Sequence, residues 1–145
     1  MSRAQDDRSA GVSIEVVQRC GRATVSTATQ WEPIVGYSRA VRSGNIVAVT
    51  GTVGINADGT FPPTMRQQAR RSLQIIEAAL HALGARLEDV IRTRMFTTDI
   101  TQWQEIGAVH GEFFADIRPA TTLVQVAKLI DDAAMIEIEA DAIVM

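Results

Sequence analysis

The sequence has few of the residues that most often indicate a specific chemistry. Its single cysteine, Cys20, excludes an intramolecular disulfide, which fits a reducing compartment, and no flanking signature supports a catalytic thiol. The two histidines, His81 and His110, fall in different predicted helices without metal-ligand spacing. No serine lies in a nucleophile elbow, and no glycine-rich phosphate loop follows a strand. We therefore predict neither a metal site nor a nucleotide site.

Long hydrophobic runs and a basic excess are also missing. No stretch approaches the roughly 18 apolar residues that a membrane helix needs. Residues 1–11 are polar and of mixed charge, so we interpret them as a loose tail and not as a secretory signal. The net charge of −3 gives no overall positive field toward nucleic acid or an anionic membrane, although local basic patches stay open. We expect a cytoplasmic protein with neither as a partner.

The remaining composition is that of one soluble globular domain spanning residues 1–145, with 46% hydrophobic and 21% charged residues. Hydrophobic periodicity and turn residues give the order ββ–α–β–α–ββ, with a further short strand near the N-terminus and a Ser/Thr-rich connector after it. This order predicts an α+β fold in which two helices cover one face of a mixed, mostly antiparallel sheet. The predicted strands cover 13–19, two runs within 37–55 joined at Ser43-Gly44-Asn45, 89–99, 121–130 and 135–144.

The clearest helix covers residues 65–84 and ends at Gly84, where a C-cap glycine belongs. Its other faces carry several arginines, which suggest either an RNA-binding face or a solvated one; we favour the solvated face. A second helix should start near Thr101, with Gln104 completing a capping box. The positions predicted to be buried are Ala69, Leu73, Ile76, Leu80 and Leu83 in the first helix, and Trp103, Ile106, His110 and Phe113 in the second.

The last strand alternates, with Ile136 and Ile138 on one face and Glu137, Glu139 and Asp141 on the other. Residues 46–53 and 123–129 carry hydrophobic side chains on both faces, which a solvated sheet face would not need. Another copy of the chain is the simplest cover, so we predict a homo-oligomer. Thr50-Gly51-Thr52-Val53-Gly54 lies inside a strand, where a bulge or a close backbone approach is the natural interpretation.

Several short segments, in this order and spacing, resemble the YjgF/RidA family, also called the L-PSP endoribonuclease family, over residues 36–144. The resemblance implies a chorismate-mutase-like fold and a homotrimer with a central barrel and ligand clefts between subunits. Deaminase members of the family hydrolyse 2-imino acids or their enamine tautomers to 2-keto acids and ammonia, without metal or cofactor. The matching segments are Gly36-Tyr37, Gly44-Asn45-Ile46, Thr50-Gly51, residues 68–80, Asp89-Val90, residues 96–100, Phe113-Phe114, Arg118-Pro119-Ala120, residues 124–126 and residues 136–140.

The resemblance also implies a site. Glu137 matches the family's water-positioning glutamate, whereas Thr121 stands where deaminase members carry the arginine that holds the substrate carboxylate. On the second helix, Gly107 replaces a frequent asparagine and His110 an aromatic tyrosine. Arg118 should point to the opposite face of a regular strand. Arg94 or Lys128 could then replace the missing cation. We favour the alternative for Arg92 and Arg94, in which they pair with acidic residues across the strands. The substrate-binding candidates are Tyr37, Thr50, Gly51, Gly107, His110 and Thr121.

The preferred hypothesis is a small-molecule hydrolase or deaminase that acts on reactive imines or enamines, or on a related amide or carbonyl compound, through a water held by Glu137. The alternative is a non-catalytic ligand-binding or regulatory trimer. A ribonuclease or translation inhibitor is disfavoured by the acidic chain and the missing basic stripe.

Overall fold

One seven-stranded sheet forms the centre of the protein in the computed structural model, which describes residues 11–145. The strands are β1 (Glu15–Arg19), β2 (Arg22–Ser26), β3 (Ala40–Ser43), β4 (Ile46–Val53), β5 (Val90–Thr97), β6 (Ala120–Gln125) and β7 (Ile136–Ile143). Their order across the sheet is β1-β2-β3-β4-β7-β5-β6, and only the β5–β6 pair is parallel among the described strands. The predicted α+β class with a mixed, mostly antiparallel sheet is confirmed, whereas residues 1–10 of the predicted tail lie outside the described part.

Helix α2 (Met65–Ala82) begins where the sequence predicts and ends two residues before the predicted Gly84. The Thr64 hydroxyl accepts a hydrogen bond from the Gln67 amide at 3.2 Å and caps the first turn. Gly84 follows the last turn with φ +75°, and the amide of Ala85 donates to the Leu80 carbonyl at 2.9 Å. This left-handed glycine satisfies the last turn of the helix. All five predicted apolar positions, from Ala69 to Leu83, are buried.

Helix α3 (Trp103–Phe114) differs from the prediction at its start. A 3-10 turn, Ile100–Gln102, precedes it, and the Asp99 carboxylate accepts from the Thr101 amide at 3.0 Å. The predicted Thr101–Gln104 capping box is therefore wrong, because the cap belongs to the 3-10 turn. Trp103 is 56% exposed and was wrongly assigned to the apolar stripe, which consists of Ile106, Val109, Phe113 and Phe114.

The Ser/Thr-rich connector is more ordered than its composition suggested. It contains β2 and the short helix α1 (Trp31–Val35). β1 and β2 form a hairpin in which Arg19 faces Arg22 across a two-residue turn. The turn residues Cys20 and Gly21 have φ +50° and +74°, as the right-handed twist of a tight hairpin requires. Asn or Gly usually occupies this first position of the turn, because both adopt a positive φ more readily than cysteine does. The sequence therefore did not predict the turn at Cys20.

The helices cover one face of the sheet, where Ile136, Ile138 and Ala140 are almost completely buried. The other face, called the open face below, carries Glu137, Glu139 and Asp141. Arg94 lies on it, and its Nη1 donates to Glu139 and Asp141 at 3.1 Å each, which confirms the predicted cross-strand pairing for this arginine. The open face thus has a charged centre, with exposed Ile46 and Val124 to either side.

Two glycines at the end of β4 explain the glycine-containing segment. The register between β4 and β7 shifts between Val49 and Thr52, so Thr50 and Gly51 form a bulge. Gly54 packs against α2, where an added Cβ would lie 2.3 Å from the Gln68 carbonyl oxygen. The predicted bulge and the predicted close approach are both present. Among residues 11–145, no helix has the length and apolar character needed to span a membrane.

Candidate active site in two clusters

The first cluster surrounds Glu137 on the open face. Strand β7 places Glu137 opposite Val53 of β4 and Phe96 of β5. The bulge at Thr50–Gly51 lets the Glu137 side chain lie against the β4 backbone, because Gly51 has no Cβ. A Cβ built on Gly51 would lie 2.9 Å from Glu137 Cδ and 3.0 Å from its Oε1. The glycine therefore makes room for this carboxylate.

The environment of Glu137 favours exchange of a proton. Partial burial raises the pKa of its carboxyl group above the ordinary glutamate value, the charge of Arg39 lowers it, and Glu139 adds a smaller upward contribution; the net shift is upward. A carboxylate with a raised pKa is a better proton acceptor than an exposed one. Its position beside a fixed cation and a bulged backbone makes Glu137 a candidate general base.

Arg39 is a central residue of this cluster that the sequence analysis missed. It is only 5% exposed, its Nε donates to Thr27 at 3.1 Å, and its Nη1 donates to the Gly51 carbonyl at 2.9 Å and to Thr52 at 3.1 Å. Its guanidinium lies 5.7 Å from the centre of the Tyr37 ring. The two N–H groups of Nη2 have no partner among the described residues. An arginine just before a short strand gave no signal that it would be buried.

Tyr37 is held by a second small network. Its hydroxyl lies 3.2 Å from the hydroxyl of Thr29, which also donates to the buried carboxylate of Glu32 at 3.0 Å. The Thr29 amide donates to the same oxygen at 2.8 Å. Helix α1 thus fixes Tyr37 beside Arg39. The structure therefore brings Tyr37, Thr50 and Gly51 into one region with Glu137.

The second cluster joins β5, β6 and α3. Thr93 Oγ1 lies 2.8 Å from His110 Nε2 and 2.9 Å from Thr121 Oγ1, and Thr121 Oγ1 donates to the Pro119 carbonyl at 3.3 Å. Thr121 has one hydroxyl proton, which this last bond uses, so Thr93 must donate to Thr121. His110 then donates to Thr93 from Nε2 if all three bonds form together.

Burial favours the neutral form of His110, which suits this role. Burial lowers the pKa of its imidazole below the ordinary histidine value, and its ring packs against Phe114 with the centroids 4.7 Å apart. A neutral imidazole carries one N–H, so the Nε2–H tautomer leaves Nδ1 as an acceptor. The cluster contains hydroxyl and imidazole groups but no charge of its own.

A surface cavity of about 300 Å³ opens over the second cluster. Gly107 and His110 of α3 form one wall, and a Cβ on Gly107 would meet only open space. Thr121 and Arg118 form the other wall. The prediction that Arg118 points away is wrong, because β6 begins only at Ala120 and Arg118 has a left-handed backbone with φ +56°. Its amide donates to the Phe114 carbonyl at 2.8 Å.

The two clusters lie on opposite faces of the sheet within one chain. Thr121 pairs with Thr93 on the helix-covered side, whereas Glu137 pairs with Phe96 on the open face. Thr93 and Phe96 are three positions apart on β5, about 10 Å at the rise of a strand. Within one chain, the predicted site residues therefore lie in two separate groups: Glu137, Tyr37, Thr50 and Gly51 in the first, and Thr121, Gly107 and His110 in the second.

Another cavity, of about 460 Å³, lies next to the first cluster, between α1, the end of β4 and α2. Arg39, Thr52 and Arg71 contribute to its walls, but neither Glu137 nor Thr121 does. None of the predicted site residues lines this cavity. Within residues 11–145, no group of three or more His, Cys, Asp or Glu side chains is placed to hold a metal ion.

Comparison with known proteins assigns the family. The family model described as Endoribonuclease L-PSP matches residues 27–144, most of the chain. The chain belongs to the endoribonuclease L-PSP family, also called YjgF/RidA. Rv2704 from Mycobacterium tuberculosis, a YjgF/YER057c/UK114 family member of known structure, is 46% identical, with a TM-score of 0.79 over 85% of this chain and 99% of that one.

Other YjgF/RidA relatives carry names that describe an activity or a ligand. The 2-iminobutanoate/2-iminopropanoate deaminase of Escherichia coli is 32% identical over 83% of this chain and 96% of its own length. The structure of E. coli TdcF with bound serine is 32% identical, with a TM-score of 0.71 over 75% of this chain and 88% of that one. These relatives establish the family and its fold. Their names describe the small molecules that those proteins act on or bind.

Proposed function

We propose that this YjgF/RidA protein is a hydrolase of reactive imine or enamine metabolites. The observation that carries the proposal is Glu137, a partly buried carboxylate with a raised pKa, seated over Gly51 and next to Arg39. The deaminase activity named for the E. coli relative, at 32% identity, gives the class of reaction.

The chemistry requires few groups. Glu137 accepts a proton from a water molecule as the water oxygen attacks the imine carbon, and it returns this proton to the imine nitrogen to give a carbinolamine. Glu137 then takes the hydroxyl proton of the adduct and passes it to nitrogen, so that the C=O bond forms, the C–N bond breaks and ammonia leaves. An enamine first tautomerises to the imine. The raised pKa of Glu137 favours both the uptake and the return of the proton.

A homotrimer with clefts between neighbouring subunits is part of the proposal. The Glu137 cluster and the Thr121 cluster lie on opposite faces of the sheet in one chain, so a small ligand cannot contact both without a second copy. The apolar side chains at the margins of the open face, Ile46 and Val124, support burial of this face against another copy. In this arrangement the central sheets form the barrel that the family resemblance implies.

Thr121 makes the site divergent. A threonine hydroxyl cannot neutralise a carboxylate, and loss of a charged hydrogen bond costs about 1.5–3 kcal/mol, roughly 10- to 100-fold in binding. Neutral imines and enamines are therefore candidate substrates alongside 2-imino acids.

An imine-hydrolysis assay tests the proposal. An L-amino acid oxidase generates 2-imino acids with different side chains, semicarbazide traps what survives, and wild type is compared with Glu137→Ala and Thr121→Arg. We expect wild type to clear at least one imine and Glu137→Ala to clear none. Ligand binding that survives Glu137→Ala, with no turnover of any imine by wild type, would instead support a regulatory or ligand-binding trimer.

A ribonuclease has less support. The basic positions on α2 face acidic residues of α3: Arg66 Nε lies 2.6 Å from Glu105, and Arg70 makes a two-pronged ion pair with Glu112 at 2.8 and 3.0 Å. Paired arginines offer little to a phosphate backbone, which is bound mainly through charge. RNA cleavage that co-purifies with wild type and disappears with Glu137→Ala would revive this alternative.

A further inference from the structure

The cavity of about 460 Å³ between α1, the end of β4 and α2 has a buried arginine, Arg39, in its wall. We propose that this cavity is a second binding site, separate from the cavity at Thr121, and that it takes a small monocarboxylic acid with an apolar chain. The carboxylate binds Nη2 of Arg39, and the chain packs against the apolar part of the wall. This inference goes beyond the proposed function, because it does not require imine turnover.

Arg39 supplies a charge that no neighbour neutralises by direct contact. It is 5% exposed, and an arginine is seldom buried so deeply unless it is paired. Its Nε and Nη1 donate to neutral oxygens, those of Thr27, Gly51 and Thr52. Within the described range 11–145, Arg39 forms no ion pair, and Nη2 makes no hydrogen bond. A buried charge without a partner is unfavourable, so an anion at Nη2 would stabilise this arrangement.

The unpaired Nη2 group of Arg39 reaches open space. In the part of the chain that the structure describes, the fully enclosed side-chain nitrogen and oxygen atoms without a hydrogen bond belong to Ser72 and Glu77. Nη2 is therefore not enclosed by protein atoms. Because Arg39 lines the cavity and its other guanidinium nitrogens are held by the protein, Nη2 is the group that it offers to a ligand there.

The carboxylates near Arg39 leave Nη2 unoccupied. Glu32 is connected to Arg39 through Thr27, whose hydroxyl donates to Glu32 at 3.4 Å and accepts from Arg39 Nε at 3.1 Å. The same Glu32 oxygen accepts from the amide and the hydroxyl of Thr29 at 2.8 and 3.0 Å. Glu137 is close enough for the charge of Arg39 to lower its pKa, but the two side chains form no ion pair. Neither acid thus replaces an external anion.

The walls of the cavity indicate which anion fits. Its charged residues in the described range are Arg39, Arg71 and Asp131, which leaves one excess positive charge. One unpaired guanidinium nitrogen and a nearby carboxylate favour a monoanion over a dianion such as phosphate. A volume of about 460 Å³ is typical of small-molecule sites, which combine an apolar wall with a few polar groups. The apolar wall includes Trp31, Val53 and Ile75.

Trp31 provides a local probe of binding in the cavity. The chain has two tryptophans, and Trp103 is 56% exposed on α3, so fluorescence of a Trp103→Phe protein reports Trp31 alone. The ligands tested are 4-methylpentanoate, its uncharged analogue 4-methylpentanamide and inorganic sulfate. Titration calorimetry on the full chain gives the affinities, and the fluorescence of Trp31 shows whether the ligand enters this cavity.

Four variants assign the binding to its place. Arg39→Gln removes the guanidinium, and Arg22→Gln, at the exposed far end of the β1–β2 hairpin, is the control for the same change in net charge. Ala57→Phe narrows the cavity from an exposed turn and leaves the hydrogen bonds of Arg39 intact. Thr121→Phe fills the other cavity and so tests whether the acid binds there instead.

We expect wild type, Arg22→Gln and Thr121→Phe to prefer the acid over the amide by about 10- to 100-fold, the range of a charged hydrogen bond, with a change in Trp31 fluorescence. Arg39→Gln should lose this preference, and Ala57→Phe should weaken binding of both ligands. The inference is overturned by a wild type without the preference, by a preference that persists in Arg39→Gln or is lost in Thr121→Phe, by binding without a Trp31 response, or by sulfate binding as tightly as the acid. If Arg39→Gln does not fold, as judged by its thermal transition, Ala57→Phe decides: unchanged acid binding overturns the site, and weakened binding supports it.

The binding measurement and the imine assay have separate outcomes. Acid binding that depends on Arg39, without turnover of any imine by wild type, supports the second site and overturns the hydrolase. Imine turnover that is lost in Glu137→Ala, in a wild type that does not bind the acid at Trp31, supports the hydrolase and overturns the second site.

Discussion

The carboxylate of Glu137 lies over Gly51 so closely that an added methyl group would stand 2.9 Å from Glu137 Cδ. Strand β4 bulges at this point, and the missing Cβ is what allows an acidic side chain of β7 to lie against the bulge, where the charge of Arg39 acts on it. A catalytic role for Glu137 therefore depends on a neighbour that has no side chain.

Gly51→Ala should reduce activity without unfolding the protein. Gly51 does not have a positive φ, so alanine fits its backbone, and the atoms that must move belong to the flexible Glu137 side chain. Displacing a general base removes its contribution to the rate, about 100-fold or more. Steady-state kinetics on the imine panel and a thermal transition measured on the same sample check this. Full activity in Gly51→Ala would contradict a positioned Glu137.

Gly54→Ala is the matched substitution with the opposite outcome. Here an added Cβ would lie 2.3 Å from the Gln68 carbonyl oxygen, which is part of the backbone of α2 and cannot turn away. Overpacking of this kind costs about 1–3 kcal/mol or more. Urea unfolding should show a clear loss of stability, with a larger decrease than for Gly51→Ala. Equal stabilities for the two variants would show that α2 does not press on β4 as the structure describes.

The pH dependence of activity should report Glu137. The working base is the carboxylate, so kcat/KM should rise with pH through a pKa higher than the 4.5 of an ordinary glutamate, because partial burial raises it. Glu137→Gln should abolish turnover at every pH. kcat/KM is measured between pH 4 and pH 8, in buffers in which the enzyme is shown to be stable, to find the pH at which activity falls on the acid side. A fall centred at or below the ordinary glutamate pKa would contradict the effect of burial.

The contribution of Glu137 to stability should fall as pH rises, whereas activity should increase. The folded protein binds the Glu137 proton more tightly than the unfolded chain does, so this group contributes stability at low pH that is lost as pH rises through its raised pKa. Glu137→Gln should therefore raise Tm relative to wild type near pH 7, and the difference should shrink toward pH 4. Thermal transitions across this range, with Glu15→Gln on the exposed β1–β2 hairpin as a control, test the sign. A Tm gain that grows as pH falls would be inconsistent with it.

Local spacing in the sequence predicts part of this structure correctly, but not all of it. The long helix, its apolar face, the glycine at its end and the alternation of β7 follow from local spacing, and all are present. Arg39 was missed and Arg118 misjudged because their environments are made elsewhere: Gly51 and Thr52 of β4 hold Arg39 in a buried position, and the end of α3 turns the backbone at Arg118. A rule of alternation assumes a regular strand, and it failed where β6 had not yet begun.

Mixing two inactive variants tests whether the site spans two subunits. Glu137→Gln disables the first cluster, and Thr121→Phe should fill the cavity of the second while an exposed strand position tolerates the aromatic side chain. If each cleft takes Glu137 from one chain and Thr121 from its neighbour, random mixing of equal amounts leaves about a quarter of the clefts intact in a cyclic trimer.

Co-expression with two different affinity tags, followed by purification through both, provides the mixed trimers. Tandem purification selects trimers that contain both chains, and every such trimer has one intact cleft of three. We therefore expect about a third of wild-type activity from these trimers and essentially none from either variant alone. As a control, chains that carry Ile34→Ala on the exposed surface of α1 receive the same two tags, and their activity shows whether the tags themselves have an effect. Mixed protein that stays inactive would mean that neighbouring chains do not combine the two clusters.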